Sequence, residues 1–328
     1  MNHLLSLPTH PNSLEQSQTA PAFDHDGTKW YSHQQRRGFS HPYSFRPKLF
    51  SPVKTTLPMK ETLPKFDDPP VTETVLGIEF ASLRQWDIPY FGLFWSRVRE
   101  DYQNYSVKPP LVSQIEKFGE SEKQEVTLEL PLLSPPQFRC WFFDRSGTRL
   151  IQVQRDRFVH NWRKVRPDDE YPRYHSVRQR FEGEWQRFRD FVGSEQLGDL
   201  ELRQCEVTYF NHIEPEGGWQ SLSNLGEIFP CWAGVSSGGF LPSPEIVALN
   251  TSYLIPENRG RLRISMEPVF RHADAKEILQ LTISAKVIVD SSDTAELMKA
   301  IDLGHEWAVR GFTDFTSARM HELWKRRQ

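Results

Sequence analysis

The chain has 328 residues, of which 38% are hydrophobic and 12% aromatic, and its formal net charge is −3. This length allows two units of ordinary domain size, and the aromatic content is sufficient for a substantial core. The nearly balanced charge excludes a whole-molecule field that would attract nucleic acid or anionic lipid, and no apolar run approaches the roughly 20 residues that cross a bilayer.

The cysteines Cys140, Cys205 and Cys231 are odd in number and widely spaced. This pattern argues against a disulfide framework, and without a CxxC pair it does not indicate a metal knuckle. The first residues have no basic stretch, and their apolar run is too short for a signal peptide. We therefore expect a reduced, cytoplasmic protein with no membrane contact, and we identify no cofactor, metal ligand or catalytic residue.

Residues 1–62 differ in composition from the rest of the chain. They contain seven prolines and five of the eleven histidines, and no apolar period extends beyond a few residues. Such a segment cannot bury enough surface to offset chain entropy, so we expect a disordered tail. A mis-assigned gene start is the alternative, because Met59 stands just before the ordered pattern.

From Val71 onwards the spacing of apolar residues predicts regular elements. The stretch "TETVLGIEFA" predicts a strand, and Asp87 followed by Pro89 predicts the start of a helix that ends at Pro109-Pro110. Five strands are predicted next, at "LVSQIEKF", "EVTLEL", "RCWFFD", "RLIQVQ" and "RFVHNWRKV". A long helix follows, in which apolar residues from Tyr174 to Val192 recur every three or four positions.

The same order of elements recurs in the second half. "ELRQCEVTYFNHI" predicts a strand, "WQSLSNLGEIF" a degenerate helix, and "PEIVALNTSYLI", "GRLRISMEPVF" and "KEILQLTISAKVIV" further strands. Asp293 is the predicted N-cap of a second long helix, and "TSARMHELWKRR" predicts a short closing helix. The two halves agree in the order of their elements and not in their letters.

We predict an α+β fold of two related β-α-β(n)-α units, residues 63–197 and 198–328, each an antiparallel sheet covered by a long helix. The two sheets could join edge to edge or pack as separate lobes. The order of elements resembles the duplicated saddle of the TATA-binding-protein fold or, less closely, a helix-grip fold. Such a likeness says little about function.

Several short motifs match catalytic patterns only in part. Gly234-Val-Ser236-Ser-Gly238 fits the GxSxG elbow, but "GGFLPSPE" follows it and cannot form the helix that the elbow requires. His305-Glu306 and His321-Glu322 begin like HExxH and lack the second histidine, which favours helix-surface or partly buried histidines. Asp168-Asp169-Glu170 precedes the long helix, where negative charge is favourable without any metal.

The hairpin Arg149–Val165 is the strongest candidate site. Alternation along its strands places Gln152 and Gln154 opposite the apolar side chains of the first strand. The surrounding region Arg139–Arg189 contains 13 Lys and Arg against seven Asp and Glu. The predicted partner-binding residues are Gln152, Gln154, Arg155, Arg157, His160, Asn161 and Arg163.

We predict a non-enzymatic binding module that contacts a protein or an anionic ligand through this exposed sheet face, although a solvated sheet face would give the same pattern without a ligand. The second alternative is nucleic-acid binding through Arg139–Arg189, with bases stacked on aromatic side chains. The third is an enzyme of unknown reaction that uses His160 with Asn161, or His212 with Glu214. It ranks last, because no nucleophile, base and orienting group can be identified together.

Six stretches occur in the order of a known family: "PPVTETVLGIEF", "GLFWSRVREDY", "RLIQVQRDRFVHNWRK", "DEYPRY", "QCEVTYFNHI" and "HEWAVRGFTDFTSARMHELW". Together they resemble a sporadically distributed family of uncharacterised bacterial proteins, over about Lys65 to Arg326. The resemblance implies a bacterial cytoplasmic protein and supplies no activity, cofactor or site residue. The patchy distribution of the family suggests mobile genes in defence or toxin-control loci.

Overall fold

The computed structural model describes residues 62–118, 138–215, 219, 221–234, 240–242, 244–271 and 274–327. Nearly all of the predicted tail, including Met59, therefore lies outside the described residues. The predicted strand "EVTLEL" and Ser236 of the GxSxG match also lie outside them.

The described chain is a mixture of helices and antiparallel strands, which confirms the α+β prediction. Its strands are β1 Val71–Phe80, β2 Asn104–Lys108, β3 Arg139–Phe143, β4 Arg149–Gln154, β5 Arg157–Arg163, β6 Leu202–Ile213, β7 Leu249–Ile255, β8 Gly260–Arg271 and β9 Lys276–Ile288. Its helices are α1 Ile88–Val98, α2 Arg173–Ser194, α3 Leu225–Ile228, α4 Thr294–Phe315 and α5 Ala318–Leu323.

All nine strands belong to one sheet, in the order β2-β3-β4-β5-β1-β6-β9-β8-β7. The strands of the two halves meet in the middle, where β1 pairs with β6 and Leu76 lies opposite Val207. Of the two arrangements that the sequence left open, the edge-to-edge sheet is therefore the one that forms.

The long helices pack on one face of this sheet because each has a single apolar stripe. Phe188 of α2 lies 5.8 Å from Phe80 of β1 and 5.0 Å from Phe158 of β5, measured between ring centroids. On the other half, Gly304 brings α4 close to Val207 of β6. Burial of each such large side chain contributes roughly 1.5–3 kcal/mol. We call the opposite side of the sheet, away from these helices, the helix-free face.

Two predicted elements differ in the structure. Helix α1 ends at Val98 instead of Pro109-Pro110, and β2 follows it along the edge of β3. Tertiary pairing overrides the weak local pattern there. The stretch "LVSQIEKF" forms no strand: Leu111–Phe118 is an irregular segment that lies on the helix-free face, and we call it the crossing segment.

The acidic cluster before α2 has a local role that differs from the predicted one. The carboxylate of Asp169 accepts hydrogen bonds from the main-chain N–H groups of Val165 and Arg166, at 2.9 and 2.7 Å. Helix α2 begins only at Arg173 and has no side-chain cap. Asp169 therefore closes the turn after β5 instead of stabilising the helix terminus. By contrast, Asp87 and Asp293 cap α1 and α4 as predicted.

Candidate functional site

The helix-free face collects five of the seven predicted site residues. Because side chains alternate along a strand, Gln152 and Gln154 of β4 point to the side opposite Ile151 and Val153, which belong to the core under the helices. The ladder of β5 against β4 aligns Gln154 with Arg157. The five residues that share this face are Gln152, Gln154, Arg157, Asn161 and Arg163.

The other two predicted residues lie elsewhere. His160 points towards the helices, where its Nδ1 lies 2.6 Å from Glu184 of α2. Arg155 occupies the turn between β4 and β5, and its guanidinium donates to the main-chain oxygens of Leu83 and Arg84 at 2.9 and 3.1 Å. Including His160 in the same face was wrong, since it follows Val159 and precedes Asn161 on the opposite side of the strand.

The expected exposure of this face is also wrong. Gln152, Gln154, Arg157 and Asn161 are each 7% exposed or less. Gln152 donates to Asn161 at 2.7 Å, and Arg157 forms a buried ion pair with Glu79 at 2.7 Å. Removal of Arg157 would leave Glu79 without its charged partner, so this arginine stabilises the sheet and its replacement is not neutral to stability.

The crossing segment begins on β4, where a glutamine holds its main chain. The side-chain amide of Gln154 donates to the carbonyl of Leu111 at 2.9 Å and accepts from the N–H of Leu111 at 2.8 Å. Further along, Ser113 donates to Glu79 of β1. The segment therefore passes from β4 towards the centre of the sheet.

A second glutamine repeats the contact on β6. Gln204, which is 2% exposed, donates to the carbonyl of Gln114 at 2.9 Å and accepts from the N–H of Glu116 at 3.1 Å. A carboxamide carries N–H donors beside a carbonyl acceptor, so it can pair with the C=O and N–H groups of a main chain. Gln154 and Gln204 thus both hold the main chain of the crossing segment.

The far end of the crossing segment is held by charge. Both oxygens of Glu116 accept hydrogen bonds from Arg261 and Arg263 of β8. Burial alone would raise the pKa of the Glu116 carboxyl, but the two guanidinium groups outweigh it and the pKa is lowered. A segment that carries a carboxylate is therefore accommodated on this face.

Beside the crossing segment, four buried polar atoms of β3, β4 and β5 have no hydrogen-bond partner among the described residues. They are Nε of Arg139, Nε1 of Trp141, Oε1 of Gln152 and Nε of Arg157. Trp141 lies directly opposite Gln152 in the ladder, which places these atoms together. A buried polar atom without a partner costs about 1–3 kcal/mol, so a group that supplied partners to this cluster would be stabilised there.

Positive charge surrounds this cluster. The ring of Trp141 has Lys108, Arg139 and Arg163 within 5.1, 5.4 and 5.9 Å of its centroid. Burial and the nearby charge of Arg157 lower the pKa of Arg139 to about 10, so its guanidinium is still charged at neutral pH. An anionic group placed here would relieve this repulsion.

On the helix side, His160 belongs to a buried network. One oxygen of Glu184 accepts a hydrogen bond from the Tyr102 hydroxyl, and the other oxygen lies 2.6 Å from Nδ1 of His160. Burial, with the charge of Glu184, raises the pKa of Tyr102, so the phenol remains a donor. Tyr102 lies in the loop after α1, Glu184 in α2 and His160 in β5. No regular spacing in the sequence predicts that they meet.

The two residue pairs considered for catalysis do not form. His160 and Asn161 lie on opposite faces of β5, with partners on opposite sides of the sheet. Glu214 forms ion pairs with Arg271 and Lys276, at 2.6 and 2.8 Å, and not the predicted pair with His212. Burial and the charge of Arg271 lower the pKa of His212.

The two partial HExxH matches have other partners. Nδ1 of His305 lies 2.8 Å from the Tyr209 hydroxyl, and its ring stacks on Tyr174 at 3.5 Å between centroids. His321 lies 3.0 Å from the Thr316 hydroxyl. Within the described ranges, no three His, Cys, Asp or Glu side chains are grouped so that they could hold a metal ion.

Sequence reasoning missed the residues that complete the helix-free face, among them Arg139, Trp141, Gln204 and Glu116. Side chains alternate along the strand "RCWFF", so Arg139 and Trp141 lie on the same face. This signal was present in the sequence. Gln204 and Glu116 give no such signal, because they are 88 positions apart and meet only through the fold.

Comparisons of the chain with protein-family models, with curated proteins and with solved structures found no match. None of the helices in the described part of the chain has the length and apolar content needed to cross a bilayer.

Proposed function

We propose that the protein is a non-enzymatic binding module that holds an extended, acidic segment of a partner protein on its helix-free face. The observation that carries the proposal is the crossing segment. Gln154 and Gln204 hold its main chain, and beside it the Arg139–Trp141–Gln152 cluster has donors and an acceptor without partners. The partner segment would lie on this cluster.

A polypeptide fits the face better than a compact ligand. Among the described residues, Oε1 of Gln152 has no donor and Nε1 of Trp141 has no acceptor. A main-chain N–H and a main-chain carbonyl would supply these partners. The two residues are cross-strand neighbours, so one peptide unit can reach both. Main-chain recognition of this kind gives affinity, and the surrounding charges give specificity.

The charges favour an acidic partner. Lys108, Arg139 and Arg163 surround Trp141, and the carboxylate of Glu73 accepts a hydrogen bond from Asn161. Burial raises the pKa of Glu73, although Asn161 and Arg163 act in the opposite direction. The cations therefore outnumber the carboxylates on this part of the face, as they do around Glu116 at the other end.

We also propose that the chain is a duplicated, saddle-like structure of the two units predicted from the sequence, 63–197 and 198–328. The strand order supports this. Strands β5-β4-β3-β2 extend from one side of the central β1–β6 pair, and β9-β8-β7 extend from the other. In each half a long helix follows the last strand. The bacterial, cytoplasmic, defence-related setting implied by the family resemblance remains part of this proposal.

Nucleic-acid binding is the second candidate, and the ion pairs of the basic region count against it. Each of five arginines has a carboxylate partner at 2.6–3.2 Å: Arg149, Arg157, Arg166, Arg178 and Arg187. Phosphate contacts would compete with these pairs. A polynucleotide is therefore included as an outcome of the test below.

Fluorescence anisotropy with labelled peptides of the same length as the crossing segment tests the proposal. Three Pro-free sets would be compared with the full chain: Asp/Glu-rich peptides, their Asn/Gln isosteres and Lys-rich peptides. We expect the acidic set to bind at least ten-fold more tightly than the isosteres. The double variant Arg139→Ala/Arg163→Ala should remove that preference, because it removes two of the cations around Trp141.

The matched control is Arg84→Ala/Arg99→Ala, which removes the same charge from exposed sites and should leave binding unchanged. A melting temperature for each variant shows that it is folded, and Lys108→Ala replaces the double variant if that one is not. The proposal is wrong if no set binds more tightly than the isosteres, or if only a single-stranded polynucleotide binds with a steep dependence on salt.

A further inference from the structure

A polar cavity of about 680 Å³ lies on the other side of the sheet, between α2 and strands β4 and β5. Its lining includes His160 and Trp162 of β5, Arg149 of β4 with the preceding Thr148, and Arg180 of α2. Its volume lies within the range of small-molecule sites. Because it lies under α2, this cavity is separate from the helix-free face and does not depend on the function proposed for it.

The carboxylates of the cavity are already used within the protein. Asp101 pairs with Arg187 at 2.6 Å. Both oxygens of Glu184 are occupied, one by the hydroxyl of Tyr102 and the other by Nδ1 of His160. Among the described residues, the acceptors that face the cavity therefore have little capacity left for a cationic ligand.

The hydrogen-bond donors that line the cavity are only partly used within the protein. Nε of Arg149 binds Asp144 at 2.9 Å, which leaves the two terminal nitrogens of its guanidinium for other partners. Arg180 is exposed and makes no hydrogen bond or ion pair with a described residue. His160, which is 1% exposed, uses only Nδ1, so its Nε2 also remains for a ligand. A guanidinium fork pairs with phosphate or carboxylate oxygens through two hydrogen bonds at once.

The buried network fixes the geometry of this donor set. Glu184 orients the imidazole of His160 from behind, as a carboxylate orients a functional histidine in many sites. Arg149 and Arg187 also lie close enough to Glu184 for their charges to act on it. Arg149 and His160 are therefore held in place by Asp144 and Glu184 before any ligand arrives, which lowers the entropic cost of binding.

We propose that this cavity binds a phosphorylated small molecule, whose phosphate is held between Arg149 and Arg180 with Nε2 of His160 below it. The cavity is larger than an inorganic phosphate ion. Val177 and Trp162 supply apolar surface next to the arginines, so the remainder of the ligand is apolar or aromatic. A phosphate ester bearing a ring therefore fits the site better than the free ion.

Phenyl phosphate and inorganic phosphate are the probes, titrated against the full chain at constant ionic strength. The 15N and 13C resonances of the His160 ring report on the site directly. We expect saturable shifts with both probes and at least five-fold tighter binding of phenyl phosphate. Arg180→Ala should weaken both by about ten-fold without changing the melting temperature, because Arg180 is exposed and holds no other side chain.

Arg99→Ala is the matched control, since it removes one exposed arginine immediately after α1 and should not change either affinity. If His160 shows no saturable shift with either probe, or if Arg180→Ala binds both probes as tightly as the unaltered protein, the assignment is wrong. Equal binding of phenyl phosphate and benzenesulfonamide would also overturn it, because it would show that the ring alone is recognised.

Discussion

His305 is a histidine whose burial makes folding sensitive to pH. Burial lowers its pKa from the usual 6.5 to about 4, although the charge of Asp302 acts in the opposite direction. The unfolded chain takes up the proton near pH 6.5 and the folded chain only near pH 4. The stability that depends on neutral His305 is therefore fully present above pH 6.5 and is lost as the pH falls towards 4.

We expect the free energy of unfolding to decrease over this range by on the order of 2–3 kcal/mol through His305. Urea denaturation at pH 7 and at pH 4.5 measures it. His305→Gln should reduce the difference between the two pH values, whereas His175→Gln, which changes an exposed histidine of α2, should retain it. Identical pH profiles for all three proteins would contradict the assignment.

At the residue scale, sequence patterns could assign faces but not burial. Alternation correctly separated Gln152 and Asn161 from Phe158 and Trp162, because it depends only on backbone geometry. The exposure of the polar face was misjudged, since its coverage comes from cross-strand partners such as Glu79. The partner of His160, Glu184, could not be found because no local spacing joins a strand residue to a specific turn of a later helix.

At the element scale, the crossing segment depends on two separate glutamine contacts. Gln154→Ala should accelerate amide exchange of Leu111 by several-fold to about ten-fold, the range expected for the loss of one to two hydrogen bonds. The amide of Glu116 should stay protected, because Gln204 still holds it. Gln204→Ala should give the reverse pattern.

Gln152→Ala is the control, because Gln152 shares the face and makes no hydrogen bond to the described part of the crossing segment. Hydrogen exchange followed by NMR measures all three variants. Equal acceleration of both amides in every variant would mean that the segment detaches as one unit, and the separate roles of the two glutamines would then be wrong.

Most strands and both long helices could be predicted because their apolar residues repeat with a clear period. The stretch "LVSQIEKF" has the same alternation and does not pair, because its main chain is satisfied by Gln154 and Gln204 instead of a neighbouring strand. Strand β2 was not predicted, although it does pair with a neighbouring strand. Its pattern is weak, and only its pairing with β3 makes it a strand.

At the scale of the whole molecule, the single sheet predicts cooperative unfolding. Cys140 of β3 and Cys205 of β6 lie in different halves, and both thiols are buried, at 5% and 1% exposure. Burial raises the pKa of each thiol, so both are protonated at neutral pH. Because β1 and β6 join the halves, we expect both thiols to become reactive at the same urea concentration.

Pulsed alkylation followed by mass spectrometry of the two cysteine peptides measures this directly. Cys231 is exposed and serves as the control that reacts at every urea concentration. Labelling of Cys140 at a clearly lower urea concentration than Cys205 would show that the first half unfolds by itself, and the sheet would then not act as one cooperative unit.

In the proposed function, an acidic polypeptide segment of the partner lies over Trp141 on the helix-free face. The indole N–H groups of Trp141 and Trp185 are both buried and without a partner, on opposite sides of the sheet. NMR of the tryptophan indole 15N–1H groups during titration with the tightest Asp/Glu-rich peptide compares them within one sample. The proposal predicts a saturable downfield shift of the Trp141 signal, as its N–H acquires an acceptor, and an unchanged Trp185 signal. An unchanged Trp141 signal at saturating peptide, or a shift confined to Trp185, would contradict it.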